Sequence, residues 1–124
     1  MPKRILIVED NENNMYLITF ILKNRGYGVI QAWTGEEGIA LAGKEKPDLI
    51  VMDIMLPGID GFETTKKIRA SDDLKQIPVV ALTSYAMVGD REKAIEAGCT
   101  GYIEKPINPD TFMEELEKYL QAKG

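Results

Sequence analysis

Residues 47–58 read Pro-Asp-Leu-Ile-Val-Met-Asp-Ile-Met-Leu-Pro-Gly. Four consecutive apolar residues, Leu49 to Met52, end at an aspartate, and a Pro57-Gly58 pair follows. An apolar run this short, bounded by turn formers, reads as a strand. It is apolar at every position rather than at alternate ones, which suits a strand covered on both faces of a parallel sheet. Ile5–Val8 and Val79–Leu82 repeat the pattern. Val29–Ala32 and Gly101–Ile103 are weaker runs and suit the sheet edges.

The stretches between these runs have helical periodicity. Asn13 to Arg25 places Met15, Ile18 and Leu22 on one face, with Leu17 and Ile21 adjoining, and Gly26 follows as a stop. Thr34 to Lys46 opens with Thr34-x-x-Glu37, a capping box. Gly61 to Ala70 and Met87 to Ala97 follow, the latter ending before Gly98. Asn108 to Gln121 begins with an Asn cap and Pro109 at the first helical position, and carries Phe112, Leu116, Tyr119 and Leu120 as its apolar stripe. Five strand–helix units in one chain predict an α/β fold with a doubly wound parallel sheet. With the weak runs at the edges, the strand order is 2-1-3-4-5. The 124 residues fit one domain, 1–124, and leave no linker or repeat.

Composition narrows the chemistry. The formal net charge is -5, which argues against a nucleic-acid partner, since phosphate backbones require clustered Lys and Arg. Histidine is absent, so triads, histidine metal sites and histidine general bases are excluded. The single cysteine, Cys99, cannot form an intramolecular disulfide and, with no base beside it in sequence, reads as a small buried thiol. The apolar run after Met1-Pro2-Lys3-Arg4 is too short for a signal peptide or a membrane span, so no membrane association and a cytoplasmic location are expected.

In sheets of this type ligands bind beyond the strand carboxyl ends. Glu9 and Asp10 follow strand 1, Asp53 ends strand 3, Thr83 and Ser84 end strand 4, and Glu104, Lys105 and Pro106 leave strand 5. Singly, each has an ordinary role as a cap, a loop residue or a surface charge. Together they bring three carboxylates, a hydroxyl and an ammonium to one rim. Clustered carboxylates repel, and a hard divalent cation resolves the conflict. Mg²⁺ needs one or two carboxylates, waters and a phosphate oxygen. Such a site fits phosphoryl transfer to Asp53 as nucleophile, with Mg²⁺ and Lys105 holding the phosphoryl oxygens and Thr83 or Ser84 donating a hydrogen bond.

ILIVEDN (5–11), PDLIVMDIMLPGIDGFE (47–63), IPVVALTSYA (77–86) and EAGCTGYIEKPI (96–107) together resemble the receiver domains of bacterial two-component response regulators, of the CheY type. The resemblance spans essentially the whole chain. VEDNENNMYL and ALTSYAMVGD look especially like single-domain DivK-type regulators and the receivers of hybrid kinases. It implies a flavodoxin-like (βα)5 three-layer sandwich. It further implies Asp53 as phosphoacceptor, Glu9, Asp10, Asp53 and the Met55 carbonyl as Mg²⁺ ligands, Thr83 as switch hydroxyl, Tyr102 as aromatic switch, Lys105 as phosphate-binding cation and a cis bond before Pro106. A chain without histidine needs an outside phosphodonor, a histidine kinase or a histidine phosphotransfer protein. The implied protein is a switch rather than an enzyme, promoting only its own phosphorylation and dephosphorylation, and acts as a monomer or weak homodimer. It would signal to a downstream protein target through the face of helix 4, strand 5 and helix 5, including Met87, Tyr102, Ile107 and Phe112. The exposed face of helix 1 near Asn14 and Met15 is expected to receive the phosphodonor. With no output domain after residue 107 and a start at Met1, the chain reads as a stand-alone regulator.

Three other readings fit less well. A small-molecule phosphatase with an aspartyl nucleophile needs a second acid where Met55 stands. A flavin-binding domain needs a Gly-, Ser- or Thr-rich phosphate loop where Glu9-Asp10-Asn11 stands. A pseudo-receiver would lack the intact acid, hydroxyl and lysine set. Met55 and Tyr85, two residues beyond Asp53 and Thr83, offer no carboxylate or amide to orient a hydrolytic water. Phosphorylated wild type is therefore expected to lose its phosphoryl group more slowly than Met55→Asn, followed as decay of the phosphorylated mass; equal or faster loss from wild type refutes this.

Overall fold

The structure, a computed structural model, describes residues 3–83 and 89–123. Strands and helices alternate: β1 (Arg4–Val8), α1 (Glu12–Asn24), β2 (Gly28–Ala32), α2 (Gly35–Glu45), β3 (Leu49–Asp53), α3 (Gly61–Ala70), β4 (Val79–Thr83), α4 (Asp90–Ala97), β5 (Gly101–Glu104) and α5 (Pro109–Lys123). The strands form one parallel sheet in the order β2-β1-β3-β4-β5, as the strengths of the apolar runs predict. All residues of β3 and β4 are buried, whereas β2 and β5 keep partly exposed positions, as edge strands do.

Side-chain alternation divides the core in two. Ile5, Ile7, Leu49, Val51, Val80, Leu82 and Ile103 face α1 and α5, which contribute Met15, Ile18, Leu22, Phe112 and Leu116. Leu6, Val8, Ile50, Met52, Val79 and Ala81 face the opposite layer, with Ala42 of α2, Ile68 of α3 and Ala94 of α4. The continuous apolar runs are thus explained: each face needs its own set. Burying Leu82 or Ile50 withdraws about 1.5–3 kcal/mol worth of side chain from water.

Local signals set the ends. Asn11 Oδ1 accepts the Asn14 N–H at 2.9 Å, so α1 opens at Glu12, one residue before the expected Asn13. Thr34 Oγ1 accepts the Glu37 N–H, but the Glu37 carboxylate reaches past its cap to the Trp33 N–H at 2.8 Å. Asn108 Oδ1 accepts the Asp110 N–H and its carbonyl the Phe112 N–H, opening α5 at Pro109. α4 opens at Asp90 behind Gly89, which has φ 100° and supplies no side-chain cap; the expected start at Met87 lies outside the described residues. Ladder pairing continues past the apolar runs, joining Asp53 to Leu82 and Thr83 to Glu104, so Asp53, Thr83 and Glu104 belong to the strands.

Two surface expectations are corrected. Met15 is only 1% exposed, because it lies on the stripe that α1 turns to the sheet; Tyr16 and Phe20 are the exposed apolar residues of that helix. Phe112 is also 1% exposed and belongs to the core under α5, not to an outer face. Cys99 is buried as expected. Among the described residues, no helix is long and apolar enough to cross a membrane.

Candidate functional site

The rim above β1, β3, β4 and β5 collects the polar residues. Glu9 is held by its own backbone: its N–H donates to the Ala32 carbonyl at 3.0 Å, extending the β1–β2 pairing by one residue. The turn into α1 is fixed by Asn11, whose side chain caps the helix and whose N–H donates to Glu9 Oε1 at 3.2 Å. The result is a fully buried Glu9 beside an exposed Asp10.

Asp53 closes β3 with 2% exposure, and its Oδ1 accepts the Met55 N–H at 3.1 Å. The backbone below it tolerates no side chain at position 61. A Cβ there would stand 2.3 Å from the Asp53 carbonyl oxygen, and the Gly61 N–H donates to the Ile54 carbonyl at 3.0 Å. α3 therefore begins directly under the loop that carries Asp53, with Asp60 Oδ1 capping the Glu63 N–H.

Lys105 arrives from the far side. Its N–H donates to the Thr83 carbonyl at 2.7 Å, tying the end of β5 to the end of β4. The Lys105–Pro106 bond is cis. The Lys105 ammonium lies 3.2 Å from Glu9 Oε2 and 3.4 Å from Asp53 Oδ2, with 11% of its side chain exposed. Thr83, at the end of β4, is 2% exposed.

The charges do not balance. Glu9, Asp10 and Asp53 each offer an oxygen within 4.8 Å of the others, and one ammonium faces them. Three negative charges against one positive leave a formal −2, the charge a divalent cation neutralises. Burial, and then the neighbouring Asp53 carboxyl, lift the Glu9 carboxyl from 4.5 to about 7; Lys105 and the Asn11 N–H pull it back only in part. Glu9 Oε2 is buried with no hydrogen-bond partner, its contact with Lys105 being an ion pair without hydrogen-bond alignment. An orphaned buried carboxylate oxygen is costly unless something coordinates it. The all-oxygen donor set fits Mg²⁺.

The structure brings together Glu9, Asp10, Asp53 and Lys105, with Thr83 beside them at the next strand end. Met55 is 61% exposed, and the group tied to Asp53 is its N–H. Tyr102, on β5, is half-buried against the core on the α2, α3 and α4 side and lines an open cavity of about 340 Å³ with Arg91, Glu104, Pro106 and Thr111. Ser84, Tyr85 and Met87 lie outside the described residues. Sequence reasoning missed the turn bond from Asn11 to Glu9. The Asn at the residue before the helix was the available signal.

The model of the response regulator receiver domain matches residues 5–117, and the chain belongs to that family, the phosphoacceptor switches of two-component signalling. It is 46% identical to the polar-differentiation response regulator DivK of Brucella anthropi, over 97% of this chain and 98% of that protein. A CheY-like receiver from Methanospirillum hungatei superposes with a TM-score of 0.91 at 32% identity, covering 99% and 97% of the two chains. The receiver domain of a Pseudomonas aeruginosa sensor histidine kinase superposes with a TM-score of 0.90 at 34% identity, covering 98% and 99%; that structure has a magnesium ion coordinated in its active-site cleft.

The crowding of Glu9 against Asp53 makes a direct prediction for metal removal. In EDTA at pH 8, Glu9→Gln should be more stable than wild type by about 1–3 kcal/mol, because a buried, poorly compensated charge is gone. Urea unfolding measures this, and a Glu9→Gln protein less stable than wild type in EDTA contradicts it.

Proposed function

We propose that this chain is a single-domain response regulator that accepts a phosphoryl group on Asp53 from a partner phosphohistidine and signals by altered protein binding. The observation that supports it is the convergence of buried Glu9 and Asp53 on the Lys105 ammonium, with Asp10 at the mouth. Glu9, Asp10, Asp53 and the Met55 carbonyl would hold Mg²⁺, which when bound supplies positive charge to the phosphoryl oxygens.

Asp53 is positioned by the Met55 N–H and by Lys105. A carboxylate oxygen attacks phosphorus, the O–P bond forms, and the P–N bond to the donor imidazole breaks, the electron pair leaving with that nitrogen. The product is an acyl phosphate on Asp53. Lys105 then holds one phosphoryl oxygen, and Thr83 donates its hydroxyl to another. Phosphorylation adds roughly −2 charge, which draws Thr83 and Lys105 inward and biases a two-state equilibrium. Tyr102 follows Thr83, altering the face of α4, β5 and α5, where the 340 Å³ cavity opens. Turnover of external substrates is not part of this role; the chain promotes only its own phosphorylation and dephosphorylation.

The phosphodonor, a histidine kinase or a histidine phosphotransfer protein, docks on α1. Its exposed Tyr16 and Phe20, at 74% and 57%, stand on the turns that follow Asp10. Phe20 also lines a shallow cavity with Leu17, Ile21 and Pro109. The chain works in the cytoplasm as a monomer or weak homodimer.

Incubation with acetyl phosphate and Mg²⁺, read by intact mass, should add one phosphoryl group to wild type. It should add none to Asp53→Asn and none when EDTA replaces Mg²⁺. Equal labelling of Asp53→Asn refutes the assignment.

A further inference from the structure

One face of α3 makes a connected set of contacts that the site chemistry leaves unused. Gly61, Thr65 and Arg69 recur at four-residue spacing and so lie on one stripe. Gly61 sits under the Asp53–Ile54 backbone. Thr65 is buried; its hydroxyl donates to the Gly61 carbonyl at 2.8 Å and accepts the Cys99 thiol at 3.8 Å. Arg69 spreads its guanidinium over three segments. Nε donates to the Gly98 carbonyl at 2.7 Å, one terminal nitrogen to the carbonyls of Ile77 and Lys75 at 2.6 and 3.1 Å, and the other to Thr100 Oγ1 at 3.2 Å.

Among the described residues no carboxylate pairs with Arg69, so its fork is committed to backbone and hydroxyl acceptors. Thr100 is itself locked to β4: Oγ1 accepts the Val79 N–H, and its own N–H donates to the Val79 carbonyl at 2.7 Å. Gly98, at φ 106°, has no room for a side chain, since a Cβ would stand 2.5 Å from Arg69 Cγ.

The two ends of α4 are therefore unlike. At its carboxyl end the Gly98 and Cys99 N–H groups close on Ile95 and Ala94, and the Gly98 carbonyl is held by Arg69. At its amino end Gly89 supplies no cap side chain. Among the described residues, α4 buries Ala94 and Ala97, both in its second half, while Ile95 is 61% exposed.

We propose that the Gly61–Thr65–Arg69 stripe of α3 is a strut that makes the Gly98 end of α4 its fixed end relative to Asp53, so that rearrangement of α4 begins at Gly89. Arg69 is then a positioning residue acting through the Gly98 carbonyl. The strut itself stands on the contacts above; only its part in signalling rests on Asp53 being the phosphoacceptor.

Residue-resolved amide hydrogen exchange tests it. In untreated wild type, the Gly98 and Cys99 amides should exchange about tenfold or more slowly than Lys93. Arg69→Lys keeps the charge but loses the fork; protection at Cys99 and Thr100 should fall about tenfold while Ile7 and Val51 keep theirs. Unchanged protection at Cys99, or an equal fall at Ile7 and Val51, overturns the strut. If Arg69→Lys does not fold, Thr65→Val keeps the side-chain shape and should show the same local loss at Cys99; no loss there overturns it equally. With Mg²⁺ and beryllofluoride, exchange should change at Lys93 and not at Thr100, and a change at Thr100 as large as that at Lys93 overturns the fixed end. No change anywhere with beryllofluoride, alongside an intact gradient in untreated protein, counts against Asp53 as acceptor and leaves the strut standing.

Discussion

Glu9 and Asp53 are two buried carboxylates that share one ammonium. Water would solvate them cheaply; the end of a parallel sheet cannot. Each charge is taken out of solvent by a strand whose apolar residues have their own reason to be buried, and at Glu9 the energetic penalty shows as a raised pKa and an orphaned oxygen. That penalty makes the site responsive, because a group that adds or removes charge there meets neighbours poised to compensate it.

The surrounding fold holds this arrangement in place. Parallel pairing fixes Val8 beside both Ala32 and Met52, which brings the Glu9 turn next to the end of β3. The Lys105 N–H on the Thr83 carbonyl brings the third strand end into line. Below the site, Gly61 lets α3 start in contact with the Asp53 backbone, and the same helix reaches Gly98 through Arg69. α3 therefore contacts both the Asp53 backbone and the carboxyl end of α4. The opposite end of α4 has no comparable attachment among the described residues.

Much of this was legible in residue order. The strand order followed from which runs were continuously apolar, and the rim residues followed from the rule that chemistry sits beyond the strand carboxyl ends. What periodicity could not supply was partnership at a distance. Arg69 looks like any basic residue on an exposed helix, and only the folded chain shows its fork turned onto three carbonyls and a threonine hydroxyl. Met15 and Phe112 carry two readings in the sequence, as members of apolar stripes and as parts of docking faces, and the sheet claims the stripes. The outward-facing Tyr16 and Phe20 lie off the stripe of Met15, Ile18 and Leu22, a signal available in the spacing. Asp53 and Thr83 read as strand ends in the sequence, and the backbone ladder does run through both despite their polarity.

Glu9, Asp10 and Asp53 converge closely enough to share one divalent cation. Calorimetric titration with Mg²⁺ tests it most directly, comparing wild type with Glu9→Gln, Asp10→Asn and Asp53→Asn. A single Mg²⁺ site in wild type, weakened at least about tenfold by each substitution (roughly 1.4 kcal/mol), is the result predicted. Wild-type affinity retained in Asp53→Asn together with Asp10→Asn would show that these carboxylates do not form one site.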